Sequence, residues 1–378
     1  RGIGAYNGAM SSVEPGGAAL PAAVRERLAV LLPGARILSA SALGDDAHPE
    51  GETAKELGYG HPLRVALSLP DGTRHDVVLH VLRADPYGHD RRADRVAEVV
   101  LAADTAWRVP GHVRVLDAGV VVEGGPLVSL AGTGEPYLLT EWADGDLYAD
   151  DLRRIATEGR LEPRDVVRAD RLTDALCALH RTPGDGGDVA YERAVRDLVG
   201  HGEGIAGIAD GYASDAPGAT RGRIEAIERA CLDWRHRLRP RTHRLRRTHG
   251  DFHPFNLLFS GDRLIPLDAS RGCEGDPADD VAALTVNHLF FGMEHRARWS
   301  TGLGALWERF WPRYLEATGD REILEVIAPF FAWRGLVVAS PRWFPHLCAE
   351  DRDRILSFVE RVLVAERFEP RWGLEAMA

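Results

Sequence analysis

Apolar and polar positions follow two different rhythms in the two halves of the chain. Pro21 to Leu32 carries apolar residues at helical spacing, with a proline where such a helix would start. Ala35 to Ser41 has strand character, and a polar, glycine-containing stretch runs from there through Gly60. Leu63 to Leu69 and Val77 to Leu82 flank Pro70-Asp71-Gly72-Thr73, which predicts a β-hairpin. Arg92 to Ala106 is helical in period, and Val113 to Val122 and Tyr137 to Glu141 read as further strands. From Asp150 onward the period is almost wholly helical: Val166 to His180, Tyr191 to Val199, Thr220 to Leu238, and several helices from Asp280 on. One island interrupts it, Leu257 to Leu267, where two short apolar runs flank Gly261-Asp262. This order predicts a bilobal α+β protein, with a β-rich lobe over 10–142 and a helical lobe over 143–378.

Composition narrows the function classes. The formal net charge of -11 gives no basic face for a phosphate backbone, so nucleic acid is not an expected partner. No apolar run is long enough to cross a bilayer; the most apolar late stretch, Ile327 to Ser340, is interrupted by Arg334. With no signal-peptide pattern and Met10 as the expected start, the expected compartment is the cytoplasm. The four cysteines (Cys177, Cys231, Cys273, Cys348) are scattered, which reads as reduced thiols rather than a zinc or disulfide framework. Lys55 is the sole lysine among 46 basic residues, an arginine bias typical of a GC-rich bacterial genome.

The densest chemistry lies between Thr248 and Ala282: His249-Gly250-Asp251, then Asn256 five positions after Asp251, then Asp268 at the end of an apolar strand. Transfer of a phosphoryl group needs a carboxylate to orient or deprotonate the attacking hydroxyl, and oxygen ligands to hold magnesium. Asp251 suits the first task, and Asn256 with Asp268 the second, since a hard octahedral cation takes carboxylate and amide oxygens. Any one of these residues could be a turn former; the ordered set, followed by Gly275-Asp276-Pro277, points to catalysis.

On these residues the chain resembles the aminoglycoside phosphotransferase and choline kinase-like family. His249, Asp251, Asn256, Asp268, Gly275, Asp276, Pro277 and Asp280 fall on that family's motif positions. The resemblance implies a protein-kinase-like fold, a nucleoside triphosphate donor (ATP or GTP) and Mg2+. It implies that Asp251 is the catalytic base and that Asn256 and Asp268 are the metal ligands. It gives Asp276 and Asp280 the task of securing the loop and the start of the following helix, and Ala178-Leu179-His180 a structural role. In the first half, Glu98 matches the helix glutamate that orients the phosphate-binding cation, against the alternative of a solvated helix charge. Tyr137 to Trp142 matches the connector that holds the adenine through its backbone, with Glu141 and Trp142 at the contact.

Two departures stand out. No glycine-rich phosphate loop is evident between Ser39 and Gly60; Leu57-Gly58-Tyr59-Gly60 is the nearest approach. The strand position that carries lysine in such kinases is His80, a shorter side chain with at most a fractional charge near neutral pH. Either His80 grips the phosphates, or Arg83, Arg91, Arg92 or Arg95 replaces it, or turnover is lost; the retention of Asp251, Asn256 and Asp268 together favours catalysis. His253, inside the loop, reads as a substrate contact or a loop stabiliser, and Arg235 to Arg247 as a solvated helix end. The late aromatic residues, Trp307 to Phe344, read mainly as core. The functional expectation is a phosphotransferase acting on a hydroxyl of a small molecule: an antibiotic, amino sugar or other metabolite, with a cationic acceptor suited to the acidic balance. The alternatives are a kinase for Ser or Thr of a precursor peptide, and a weakened pseudokinase that binds nucleotide or serves as a scaffold.

Overall fold

A computed structural model describes residues 20–42 and 62–378, and the chain divides into two compact units, up to Leu139 and from Thr140 on. Leu57-Gly58-Tyr59-Gly60, Lys55 and Met10 lie outside the described residues.

In the first unit a helix, Ala22–Leu31, precedes a three-stranded antiparallel sheet of Arg36–Ala42, Leu63–Ser68 and Arg74–Leu79, with the middle strand central. The hairpin predicted from Pro70-Asp71-Gly72-Thr73 forms. Gly72 takes a φ of 85°, a conformation that a Cβ would penalise, and the Asp71 side chain accepts from the Thr73 N–H at 2.9 Å. Every second side chain of Leu63–Ser68 faces inward, so Leu63, Val65 and Leu67 join Leu20 and Val24 in a small core. The helix Arg92–Thr105 buries none of its residues fully. Arg27 grips Asp117 through two bonds of 2.6 and 2.9 Å, and Ser129 donates to the same carboxylate at 2.6 Å.

Three strand expectations need correction. Val77–Leu82 ends at Leu79, so His80 stands just past the strand. Val113–Val122 shrinks to Gly119–Val121, which pairs with Leu127–Ser129. Tyr137–Glu141 forms no strand: its residues have the right propensity but pair with no strand among the described residues, and Tyr137, Leu138 and Leu139 are almost fully exposed.

The second unit is helical around one large core. Helices Ala278–Gly292 and Ala328–Val338 pack on each other and are buried nearly all round, which their largely apolar sequences anticipate. Helix Leu303–Thr318 lies against Pro163–His180, with Arg309–Asp170 and Arg313–Asp174 along the seam. The island appears as the hairpin Leu257–Ser260 and Arg263–Pro266, extended on one side by Asp146–Leu147. Arg168 secures it: the guanidinium lies over the Phe259 ring and bonds Asp151 at 2.6 Å and Asp146 at 3.0 Å. Among the described residues no helix is long and apolar enough to cross a membrane.

Candidate active site

The loop Thr248–Asn256 enters the hairpin at its open end. Its first half is held from below. Asp280, in the first turn of Ala278–Gly292, accepts from the backbone N–H of His249 and of Gly250, each at 2.8 Å. His180 Nε2 lies 3.1 Å from the same carboxylate, and His180 Nδ1 lies 2.8 Å from the Tyr314 hydroxyl. Gly250 has a φ of 83°, and a Cβ there would press on Arg271 at 3.0 Å, so the residue before Asp251 has little alternative to glycine.

Asp276 anchors the chain that returns from the hairpin. Arg244 binds it through two parallel bonds of 2.7 and 2.8 Å, Tyr191 donates its hydroxyl at 3.0 Å, and the carboxylate accepts from the Ala278 N–H at 3.0 Å. Asp276 and Asp280 are both buried and both fully engaged in fastening.

Asp251 is buried with its two carboxylate oxygens in unlike surroundings. Oδ1 takes a 2.5 Å bond from Arg334 Nη1. Around Oδ2 the contacts are longer: His253 Nε2 and Asn256 Nδ2 at 3.5 Å and Arg271 Nη2 at 3.9 Å. Burial alone would push this carboxyl up. Hydrogen bonding to His253 and the charges of Arg334, His253 and Arg271 outweigh it and hold the group well below the usual carboxylate range. Asp251 is therefore ionised and stands as a pure acceptor.

Asn256 and Asp268 come together because the hairpin pairs Leu257 with Pro266 and the Leu267 N–H donates to the Asn256 carbonyl at 2.8 Å. That places residues 256 and 268 side by side where the two strands part. The Asn256 amide donates to the Asp251 backbone carbonyl at 3.1 Å, which turns its Oδ1 away from that bond. Asp268 is exposed, has a φ of 54°, and makes no side-chain hydrogen bond or ion pair among the described residues. A non-glycine residue in that backbone region costs about 1–3 kcal/mol and concentrates at functional sites. One amide oxygen and one free carboxylate fit a hard divalent cation.

The structure thus gathers Asp251, Asn256 and Asp268, with His253 at the rim. Of the other expected site residues, Trp142 is exposed and donates its indole N–H to Asp144 at 2.7 Å, and Glu141 is exposed beside it. Within the first unit, Glu98 meets His89, not His80: Glu98 Oε2 lies 2.6 Å from His89 Nε2, while His80 is exposed at the end of its strand. Asp85 on the other ring nitrogen of His89, at 2.7 Å, is the main cause that raises this imidazole above its ordinary value.

Two residues at Asp251, Arg334 and Arg271, escaped the sequence reading. Arg334 binds Asp251 and, at 2.6 Å, Asp279; Arg271 lies over the Trp333 ring, 4.9 Å from its centre. The available signal was a lone arginine inside the apolar run Ile327–Ser340, since a buried cation must have partners.

The chain shows several likenesses to known proteins. A glucosamine kinase structure (18% identity; 91% of this chain and 98% of that one covered) superposes with a TM-score of 0.40. A macrolide 2'-phosphotransferase type I (18% identity, 92% and 99% covered) gives a TM-score of 0.23. An ethanolamine kinase of Plasmodium vivax (12% identity, 88% and 84% covered) gives 0.31. No curated protein matches the chain. The sequence profile of the phosphotransferase enzyme family matches residues 91–317, which spans the whole loop from His249 to Asp280. The chain belongs to the phosphotransferase enzyme family, with its kinase-like fold, and is a kinase that takes an alcohol group as acceptor.

Proposed function

We propose that this kinase phosphorylates a hydroxyl of a small molecule, with ATP or GTP as donor and Mg2+ as cofactor, and with Asp251 as catalytic base. The observation that carries the reading is the convergence of Asp251, Asn256 and Asp268 at the open end of one hairpin. Asp251 Oδ2, with no contact shorter than 3.5 Å, is the oxygen open to an incoming hydroxyl. It would orient that hydroxyl toward the phosphorus and take up its proton as the new P–O bond forms, while the nucleoside diphosphate leaves with the electrons of the bond that breaks. Asn256 and Asp268 would hold Mg2+, which when bound neutralises phosphate charge. His253 and Arg271 stand close enough to Asp251 to contact the transferring group or the acceptor. His80 and Glu98, in the first unit, are the proposed phosphate-side residues, and Glu141 and Trp142, at the start of the second, the proposed adenine contact.

Nucleotide consumption with purified protein and Mg2+, across a panel of hydroxylated amines, sugars and peptides, tests the reading. Acceptor-dependent release of ADP or GDP that disappears in Asp251→Asn is expected. Turnover that survives Asp251→Asn would overturn the base assignment. Turnover confined to peptides would overturn the small-molecule acceptor.

A further inference from the structure

Arg334 is the only charged side chain between Ile327 and Ser340, and it is buried, 6% exposed, in a helix that otherwise builds the core. Placing a guanidinium there is costly unless its donors are met. They are met in a specific pattern. Nε and Nη2 both donate to Asp279 Oδ1, at 3.2 and 2.6 Å, which compensates the charge. Nη2 also donates to the Gly250 carbonyl at 2.9 Å. That leaves Nη1 for Asp251 Oδ1. The guanidinium carbon lies 3.8 Å from the centre of the Trp333 ring, and the Trp333 indole is itself tied to the Glu203 carbonyl at 2.8 Å.

We propose that Arg334 is a positioning residue for phosphoryl transfer: it fixes the Asp251 carboxylate by Oδ1 so that Oδ2 faces the acceptor hydroxyl. Asp279 alone would satisfy the charge, so a merely structural arginine has no need of Asp251. Contact with the Gly250 carbonyl and the Asp251 carboxylate together sets the side chain against its own backbone. The fork geometry suits this task, because a planar guanidinium defines direction where an ammonium does not. Arg334 lies beyond the stretch that the family profile covers, so this brace comes from a different part of the chain than the loop it serves.

The inference rests on the role proposed for Asp251, and the test separates the two. Crystal structures and steady-state kinetics of Arg334→Gln and Arg334→Lys are compared with wild type. In Arg334→Gln the Asp251 carboxylate is expected to leave its place by about 1 Å, and kcat to fall on the order of 10²-fold. KM for the nucleotide should stay within about twofold, since ground-state binding does not use this contact. Arg334→Lys should restore part of the kcat. In an Asp251→Asn background, Arg334→Gln should add almost nothing, because it acts through Asp251. An unmoved carboxylate with wild-type kcat, or a full additive loss in the double variant, overturns the proposal. If Asp251→Asn alone leaves kcat unchanged, the base role has failed, and the carboxylate position in Arg334→Gln still decides whether Arg334 holds it. Should Arg334→Gln not fold, Arg334→Met with Asp279→Leu removes both buried charges together and is read by the same criteria.

Discussion

Asp280 and Gly250 are linked by a 2.8 Å bond from a backbone N–H to a carboxylate that no solvent reaches. The second oxygen of Asp280 serves His249 and His180, so a single side chain holds the start of the loop Thr248–Asn256 to two helices. Position at Asp251 is therefore set one residue upstream, through backbone.

Removing that carboxylate leaves the His249 and Gly250 N–H groups and His180 Nε2 without their partner. Each buried donor so orphaned costs roughly 1–3 kcal/mol, so Asp280→Ala should destabilise the protein by several kcal/mol. Because the loop shifts, kcat should fall on the order of 10²-fold even in the fraction that stays folded. Urea denaturation and active-site-normalised kinetics measure the two effects.

Arg244 and Asp276 give a second handle, on stability alone. Their paired bonds lie in the buried interior, and Asp276 in turn braces the first turn of Ala278–Gly292. Arg244→Met should cost about 3–5 kcal/mol, the usual result of stranding one member of a buried pair. Arg244→Met combined with Asp276→Leu should cost less than the sum of the two single changes, since their mutual bonds are lost only once, although Asp320, Tyr191 and the Ala278 N–H lose partners in it too. A double variant as unstable as the sum of the two single ones would show that the pair has no coupling.

Much of this could be read from the residues. The hairpin around Gly261-Asp262 and the helices after Asp150 were legible because burial imposes a period on the sequence. Asp251, Asn256 and Asp268 stood out as a candidate set because phosphoryl transfer calls for a carboxylate and oxygen ligands, and the loop and hairpin bring these three positions together. What escaped was long-range. Nothing local in Tyr137-Leu138-Leu139 says that no strand lies beside it, since pairing is decided elsewhere in the chain. The resemblance that gave Glu98 the task of orienting the phosphate-binding cation could not reveal that His89 reaches Glu98. Arg334 announced that it needed partners without naming them; its contacts are 83 residues away at Asp251 and 55 away at Asp279.

His288 predicts a pH dependence unrelated to catalysis. It sits buried in Ala278–Gly292, neither ring nitrogen has a hydrogen-bond partner among the described residues, and it borders a cavity of about 10 Å³ beside Tyr148 and Thr173. Burial lowers its pKa from 6.5 to about 4, because the imidazolium would be desolvated there. The unfolded chain then binds a proton that the folded chain refuses. Stability is complete above pH 6.5 and is lost as pH falls toward 4, by up to about 3 kcal/mol. In His288→Leu that acid-side loss should shrink by about this amount. Urea midpoints between neutral pH and pH 4 measure it, and equal slopes in variant and wild type would contradict the neutral buried state.

Asp268 sets stability against function. Its backbone sits at a φ of 54°, its carboxylate has no partner among the described residues, and it is exposed, so the fold gains nothing visible from the side chain. Glycine would adopt the same backbone without the steric penalty of a Cβ. Asp268→Gly should therefore raise stability by about 1 kcal/mol, less the extra chain entropy glycine brings to the unfolded state. The same change removes a carboxylate that is free among the described residues and lies beside Asn256, so Mg2+-dependent turnover should vanish and no excess of Mg2+ should recover it. Thermal melts and a Mg2+ titration of the rate read the two outcomes separately. A variant that is less stable than wild type would mean that Asp268 supports the hairpin, and one that keeps its Mg2+ response would remove Asp268 from the metal site. A more stable and inactive protein is what a residue kept for its chemistry, at some expense to the fold, should give.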